Sequence, residues 1–292
     1  MLREVEFKWE REKPEDFIVK EVSEIPLDPS GGHYLYLLAK RNLTTKEICK
    51  KYNLSYAGMK DKLALTFQKV SSENFLGEFL KEKVDSEGWF ILKFLGKTKR
   101  KLKIGQLKGN KFAVNVSGFE VKEVSAFVNY YDVQRIAGNW QRGREFLLKL
   151  LEKPKKRLSW TQNFLLDSYL SYLWNRSLEL FLKEKFSGYY VVEREERFFI
   201  LEKVNVGELP KFWTILGYKK KLLESEEFYS EVLKKEGFSL EEVLELLKFL
   251  RIKGDYRMAY VVPREIRKIG RYLLFFLPKG SFATMFLKHA LT

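Results

Sequence analysis

The chain has one cysteine, Cys49, and two histidines, His33 and His289, among 292 residues. One cysteine excludes an intrachain disulfide framework and any cysteine-based zinc cluster. Two histidines leave few ligands for a histidine metal site. No Gly-x-Ser-x-Gly elbow, His-Glu-x-x-His helix or Cys/His pair is present, which removes the common nucleophile and metal patterns. Gly96-Lys97-Thr98 is not a phosphate-binding loop, because the glycine required five positions earlier is Ile91. No apolar run approaches the roughly 20 residues that cross a bilayer as a helix. Residues 1–13 lack the apolar core of a secretory signal. These absences predict a cytoplasmic protein with no membrane contact.

Positive charge and aromatic rings are plentiful. Lys+Arg number 54 against 39 Asp+Glu, a formal net charge of +15, and aromatics make up 15%. A charged coat of the kind that stabilises thermophilic proteins balances its signs; this excess points to a polyanionic partner. Nucleic acid is favoured over membrane, because neither end carries a basic helix with a wide apolar face.

The pattern along the chain predicts strands at both ends and helices in the middle. Phe17-Ile18-Val19 and Tyr34–Leu38 read as strands, separated by breaks at Pro26, Pro29, Gly31 and Gly32. Thr44-x-x-Glu47 is a capping box opening a helix through about Tyr52. Trp89–Leu95 and the stretch through Phe112, Val114 and Val116 read as strands. Leu166, Leu170, Leu173, Trp174 and Leu178 recur at helical spacing within Asn163–Lys185, and Ser239-x-x-Glu242 opens another helix. Tyr256–Val262 and Tyr272–Leu277 return to strand, and Ser281 is placed to cap a last helix. Trp160, Tyr169, Tyr172 and Trp174 are expected in the core of the middle segment. Cys49 is expected to be buried and inert, His33 to serve a strand start, and His289 to suit a helix C-terminus as a cation.

From Lys93 to Lys111 the chain carries Lys93, Lys97, Lys99, Arg100, Lys101, Lys103, Lys108 and Lys111 and no acid. Such a run repels itself unless something anionic neutralises it, and phosphates do so by releasing counterions. A second basic stretch runs from Arg135 through Arg142, Arg144, Lys149, Lys153, Lys155 and Lys156 to Arg157. Both are expected to contact a nucleic-acid backbone.

One carboxylate stands out, Asp61, between Lys60 and Lys62 and after Gly58. Aspartate is among the commonest turn residues, so on spacing alone a turn role comes first. The other reading is a carboxylate kept ionised by neighbouring cations and available as nucleophile or base.

The segment Tyr56–Gln68 resembles the signature of the TruD family of tRNA pseudouridine synthases, whose catalytic aspartate lies in a Gly-x-Lys-Asp-Lys-x-Ala-x-Thr-x-Gln context. Pro14-Glu15-Asp16-Phe17-Ile18-Val19 with Glu21 resembles the family's opening motif, and Gly32-His33 fits before a strand. Lys99–Gly105 with Gly109-Asn110-Lys111-Phe112 is similar too. So are Asn129-Tyr130-Tyr131 with Gln134-Arg135, Gly254–Arg257 followed by Pro263, and Leu277–Thr284. The motifs fall in order over nearly the whole chain, and such an ordered set is far more specific than any one of them. Asp132 departs from the family's usual Gly, Ile136-Ala137 from its Phe-Gly, and the middle segment is short for the family insertion.

The resemblance implies an α+β fold: a catalytic domain with a mainly antiparallel sheet, residues 1–128 plus 258–292, interrupted by an α/β insertion domain over 129–257, with RNA between them. It implies isomerisation of a uridine to pseudouridine, usually in the D-arm at tRNA position 13, with Asp61 catalytic and the base flipped out of its stack. It implies no cofactor and no metal. Arg11 is expected to pair with Asp61, with Lys60 or Lys62 as rivals. Asn110 is expected to hydrogen-bond the Asp61 carboxylate, and Phe112 to stack on the target base. Phe17 and Arg135 are expected to support the site, and Lys99, Arg100, Lys101 and Lys108 to hold the RNA backbone. The partner is tRNA, with other structured RNAs in reach, and the protein is expected to be a monomer with no obligate protein partner. Two alternatives are a non-catalytic RNA-binding or RNA-folding protein, and a metal-dependent nuclease using Asp16, Glu21 and Asp61.

Overall fold

The computed structural model describes residues 2–292. The chain packs as two compact units. A sheet unit holds Trp9–Val121 and Pro263–Ser281; a helical unit holds residues 2–8, Lys122–Val262 and Phe282–Thr292. This differs from the expected division at 129 and 257. The Glu4–Glu6 strand adds in parallel to Gly188–Glu193, and the last helix carries a lysine that answers acids of the middle segment, so both chain ends pack with the middle.

The sheet unit is one nine-stranded, mainly antiparallel sheet, as the α+β expectation requires. Its strands are β1 (Phe17–Val22), β2 (His33–Arg41), β3 (Ser55–Tyr56), β4 (Leu65–Ser72) and β5 (Phe79–Lys83). They continue as β6 (Trp89–Thr98), β7 (Gly109–Asn115), β8 (Arg264–Ile269) and β9 (Tyr272–Pro278). The order is β8-β9-β7-β1-β4-β2-β6-β5, with β3 paired to β4. Only β1 and β4 run parallel. Parallel neighbours enter the sheet from the same end. The segments preceding them, which carry Arg11 and Asp61, therefore arrive together.

Helix α1 (Thr45–Lys51) starts at the predicted capping box: the Thr44 hydroxyl accepts from Glu47 N–H and the Glu47 carboxylate accepts from Thr44 N–H. Its Ile48 and Cys49 pack on Tyr36, Leu38, Val70, Phe90 and Leu92 of the sheet. Burial pushes the Cys49 thiol up to about 12, which keeps it a thiol. At Gly109 the neighbouring strand comes so close that a Cβ would lie 2.2 Å from the Leu277 carbonyl oxygen, so no larger residue fits there.

The helical unit contains α2 (Val133–Ile136), α3 (Trp140–Glu152), α4 (Trp160–Lys185), α5 (Ser225–Glu236), α6 (Leu240–Phe249) and α7 (Ala283–Leu291). The long α4 starts three residues earlier than its periodicity predicts, because Ser159 and Gln162 cap it reciprocally. It is buried through Tyr169, Leu173 and Trp174. Trp160, expected in the core, is 77% exposed and lies flat on Phe164. The unit also holds strands that the sequence did not announce, including a three-stranded sheet of Glu4–Glu6, Gly188–Glu193 and Glu196–Leu201.

Three further expectations need correction. Tyr256–Val262 is two short strands, Asp255–Met258 paired with Phe212–Ile215 and Tyr260–Val261 paired with Phe127–Val128, outside the large sheet. Ser281 does not cap α7: Phe282 holds that position, and the Ser281 hydroxyl is buried without a partner. His289 is not a helix-end cation. Burial lowers it from 6.5 to about 4, its Nδ1 bonds the Met285 carbonyl, and Nε2 accepts from Val128 N–H, so it is a neutral core residue.

Asp132 accounts for its own departure from the family pattern. Its carboxylate accepts from Lys288 at 2.6 Å and from the Thr284 hydroxyl, tying α2 to α7. Lys288 is fully buried and also meets Glu193. Among the described residues no helix is long and apolar enough to cross a membrane, and no group of three His, Cys, Asp or Glu could hold a metal ion. Asp16, Glu21 and Asp61 each turn to different partners.

Candidate active site

Asp61 lies in the turn between β3 and β4, and three hydrogen bonds hold its carboxylate and carbonyl. Its Oδ1 accepts from Leu63 N–H at 2.9 Å, a local bond that fixes the turn. Its Oδ2 accepts from Arg11 Nη1 at 2.9 Å. The two side chains are 26% and 21% exposed, so the pair reaches solvent. The Asp61 carbonyl accepts from Lys40 Nζ at 2.7 Å.

The rest of the turn is held from beneath. Gln68 Nε2 donates to the Gly58 carbonyl at 3.0 Å, Thr45 donates its hydroxyl proton to Gln68 Oε1 at 2.8 Å, and Lys60 N–H donates to the Thr45 oxygen at 3.2 Å. Lys60 Nζ pairs with Glu21 at 2.8 Å, with both side chains buried. The adjacent loop 99–108 leans on the turn through Gly105 N–H to the Ala57 carbonyl at 2.7 Å. A backbone tied at positions 57, 58, 60 and 61 points the carboxylate in one direction before any ligand arrives.

Lys40 was missed by sequence reasoning. It is fully buried, directly opposite Thr66 on one side and Phe90 on the other. Burial lowers its ammonium from 10.5 to about 8, against the charge of Asp61, which raises it. The signal was available: in β2 the inward alternation runs Tyr36, Leu38, Lys40, and a lysine on an inward position needs a partner.

The expected helpers are placed differently from one another. Arg11 meets Asp61 and also stands 5.5 Å from the Phe17 ring centre. Lys60 is not a rival for Asp61, because Glu21 takes its charge, and Lys62 is exposed. Asn110 is not a hydrogen-bond partner of Asp61. It sits opposite Glu21 across β1 and β7, and its Oδ1 and Glu21 Oε1 are both buried without partners. Phe112 is 8% exposed and lies flat on Phe275, with ring centres 5.1 Å apart, and against Phe17 at 5.8 Å. One face of its ring is therefore already covered, and it forms the aromatic wall beneath Arg11 rather than a free platform. The apolar side chains that are exposed beside Asp61 are Met59, at 70%, and Leu63, at 54%.

Of the Lys93–Lys111 run, Lys99 meets Asp28 at 3.1 Å, Lys108 meets Glu24 and Lys111 meets Glu265. Acids from elsewhere in the fold thus partly neutralise what the sequence presented as an unbroken cationic run. Arg100, Lys101 and Lys103 are exposed, while Leu102 between them is buried and its N–H donates to Ser71. Arg135 belongs to the helical unit, where it faces Asp167 at 3.5 Å and the Phe164 ring at 5.6 Å.

Residues 10–140 match the family model described as tRNA pseudouridine synthase D (TruD), a stretch that includes Arg11, Asp61, Asn110, Phe112 and Arg135. The tRNA pseudouridine synthase D of Nitratiruptor sp. is 25% identical, over 95% of this chain and 93% of its own. That of Aquifex aeolicus is 27% identical, over 95% of this chain and 96% of its own. A crystal structure of the Methanosarcina mazei protein named tRNA pseudouridine synthase D matches with a TM-score of 0.57 at 19% identity. It covers 95% of this chain and 92% of that one, a likeness of fold.

Proposed function

We propose that the chain is a TruD-type RNA pseudouridine synthase acting on tRNA, with Asp61 as its catalytic residue, a reading supported by the family-model match over residues 10–140 and by the full-length likeness to tRNA pseudouridine synthases D. The observation that carries the reading is the fixed, solvent-reaching Asp61 carboxylate, with one oxygen on Arg11 and its backbone tied by Lys40.

The reaction is an isomerisation. The bond from uracil N1 to ribose C1′ breaks, the ring turns, C5 bonds to C1′, the C5 proton leaves and N1 gains one. Departure of the base leaves an oxocarbenium-like ribose, which a carboxylate at its face stabilises. Asp61 acts on the ribose either by bonding C1′ or by taking the C2′ proton. Both roles need one oxygen turned to the sugar and a fixed carboxylate. Arg11 balances the carboxylate charge while it waits, and the Phe17–Phe112–Phe275 wall gives Arg11 a rigid seat. A uridine inside folded RNA must leave its stack to reach the carboxylate, and exposed Met59 and Leu63 offer apolar surface to the flipped nucleotide. The target is a D-arm uridine, which the family resemblance supports. Arg100, Lys101 and Lys103 are exposed, have no acid partner among the described residues, and supply the backbone contacts along loop 99–108.

The test is to incubate the protein with unmodified tRNA transcripts and map pseudouridine by chemical labelling and mass spectrometry. Asp61→Asn should abolish the product and leave RNA affinity within a few fold. Product formed by Asp61→Asn would remove Asp61 from its role, and absence of product with the unaltered protein would leave an RNA-binding protein.

A further inference from the structure

Arg135, Arg144, Arg176 and Arg257 are the half-buried arginines of the helical unit. The first three each face an acid: Asp167 at 3.5 Å, Glu236 at 2.7 Å and Glu179 at 2.6 Å. Arg257 faces none among the described residues. Its Nε and Nη2 donate to the Asn129 carbonyl at 3.1 and 2.9 Å, and Nη2 also donates to Asn129 Oδ1 at 3.1 Å. These bonds fix the guanidinium against the backbone, and the Tyr131 side chain beside it is a further acceptor.

The surroundings are aromatic. The guanidinium carbon lies 4.1 Å from the Tyr131 ring centre, 5.3 Å from Trp174 and 5.6 Å from Phe282. Tyr131 is itself clamped: its N–H donates to Asn175 Oδ1 at 2.8 Å and its carbonyl accepts from Asn175 Nδ2 at 2.7 Å. Its ring, like that of Phe282, is only half-buried. Around the Tyr131 hydroxyl Arg135 adds a second positive charge, and Asp167 and Asp255 are the nearby acids, neither within ion-pair distance of Arg257. Burial lowers the Arg257 guanidinium to about 10, offset in part by Tyr131. A cation taken from water without an opposing charge is costly. Neighbouring arginines show that this unit supplies acids where a cation serves packing alone. Here no acid lies within ion-pair distance among the described residues, and a planar, pinned, half-buried guanidinium is suited to a phosphate.

We propose that Arg257, seated on Tyr131, is a phosphodiester-binding site for the RNA strand, with the rings of Tyr131 and Phe282 offering a face to the adjoining ribose or base. The proposal rests on RNA being the substrate. It assigns to the helical unit an RNA contact made of residues separate from Asp61 and from the lysine-rich runs.

The experiment measures binding of an unmodified tRNA transcript over a salt series for the unaltered protein, Arg257→Gln and Arg257→Lys. Arg257→Gln should lose about 10- to 100-fold in affinity, the range for one charged hydrogen-bonding contact. Its slope of log affinity against log salt should shrink by about 0.7 to 0.9, the value for one phosphate. Arg257→Lys should keep the slope. An unchanged slope in Arg257→Gln overturns the proposal. Should that variant fold poorly, the unaltered protein decides: phenylglyoxal modification of Arg257, read by mass spectrometry, should be suppressed by bound RNA, and equal modification with and without RNA overturns the site. Pseudouridine assays run alongside. Product without protection at Arg257 removes this site and keeps the enzyme; protection without product keeps this site and removes the enzyme.

Discussion

Replacing Lys40 by Met separates the hold on the Asp61 turn from the stability of the sheet. Lys40 is fully buried and donates to the Asp61 carbonyl at 2.7 Å. In the unfolded chain its ammonium keeps its proton up to 10.5, and in the fold only up to about 8. Folding with the group charged therefore costs on the order of 3 kcal/mol. The hydrogen bond returns about 1.5–3 kcal/mol. The two nearly cancel, so Lys40→Met should melt within a few degrees of the unaltered protein. Activity should not survive as well. Loss of a bond worth about 1.5–3 kcal/mol lowers the fraction of correctly placed carboxylate by roughly 10- to 100-fold if nothing else holds the turn. Gln68 and Thr45 still hold Gly58 and Lys60, so kcat for pseudouridine formation should fall about tenfold. KM should stay, because Lys40 does not touch RNA. The folded pKa lies below the unfolded one, so the stability penalty is complete below pH 8 and disappears between pH 8 and 10.5. Stability of the unaltered protein thus rises with pH across that window, while its activity declines as the ammonium deprotonates through about 8. Lys40→Met should show neither dependence. Unchanged kcat in Lys40→Met, or the same alkaline decline, would refute the reasoning.

Breaking the buried Lys60–Glu21 pair with Glu21→Gln leaves an unanswered ammonium and should destabilise the sheet unit by about 3–5 kcal/mol in denaturant titration, with Glu21→Leu/Lys60→Met recovering most of it. A cycle without recovery would show that the pair is not the source. His289 gives an acid window. Its folded pKa of about 4 lies below the unfolded 6.5, so its contribution is complete above 6.5 and is lost as pH falls through 4, on the order of 3 kcal/mol. Melting measured from pH 7 to 4 should therefore fall more steeply in the unaltered protein than in His289→Gln; parallel curves would place the titration elsewhere.

Local signals were legible and cross-strand ones were not. The capping box at Thr44, the strand at Tyr34–Leu38 and the apolar stripe of α4 each follow from a few neighbouring residues, and each appears. β8 escaped because all six of its residues are exposed, so an edge strand with one covered neighbour shows no apolar alternation. Asn110 and Phe112 were assigned to Asp61 and to the target base, but strand register sets them against Glu21 and Phe275, and register is a long-range property. The Arg11–Asp61 pair was reachable only through family likeness, since fifty residues separate the two. His289 was misread because proximity to a helix end does not say which face a side chain takes.

The order of strands in the large sheet has a consequence for biosynthesis. β7 pairs on one side with β1, which is made early, and on the other with β9, which the ribosome delivers only after the whole middle segment. Until then the outer margin of β7, with its row of free amides and carbonyls, is open to the wrong partner. Non-local closure of this kind is slow, and a nascent chain that has compacted its middle first would shorten the wait by bringing residues 263–281 back toward their slot.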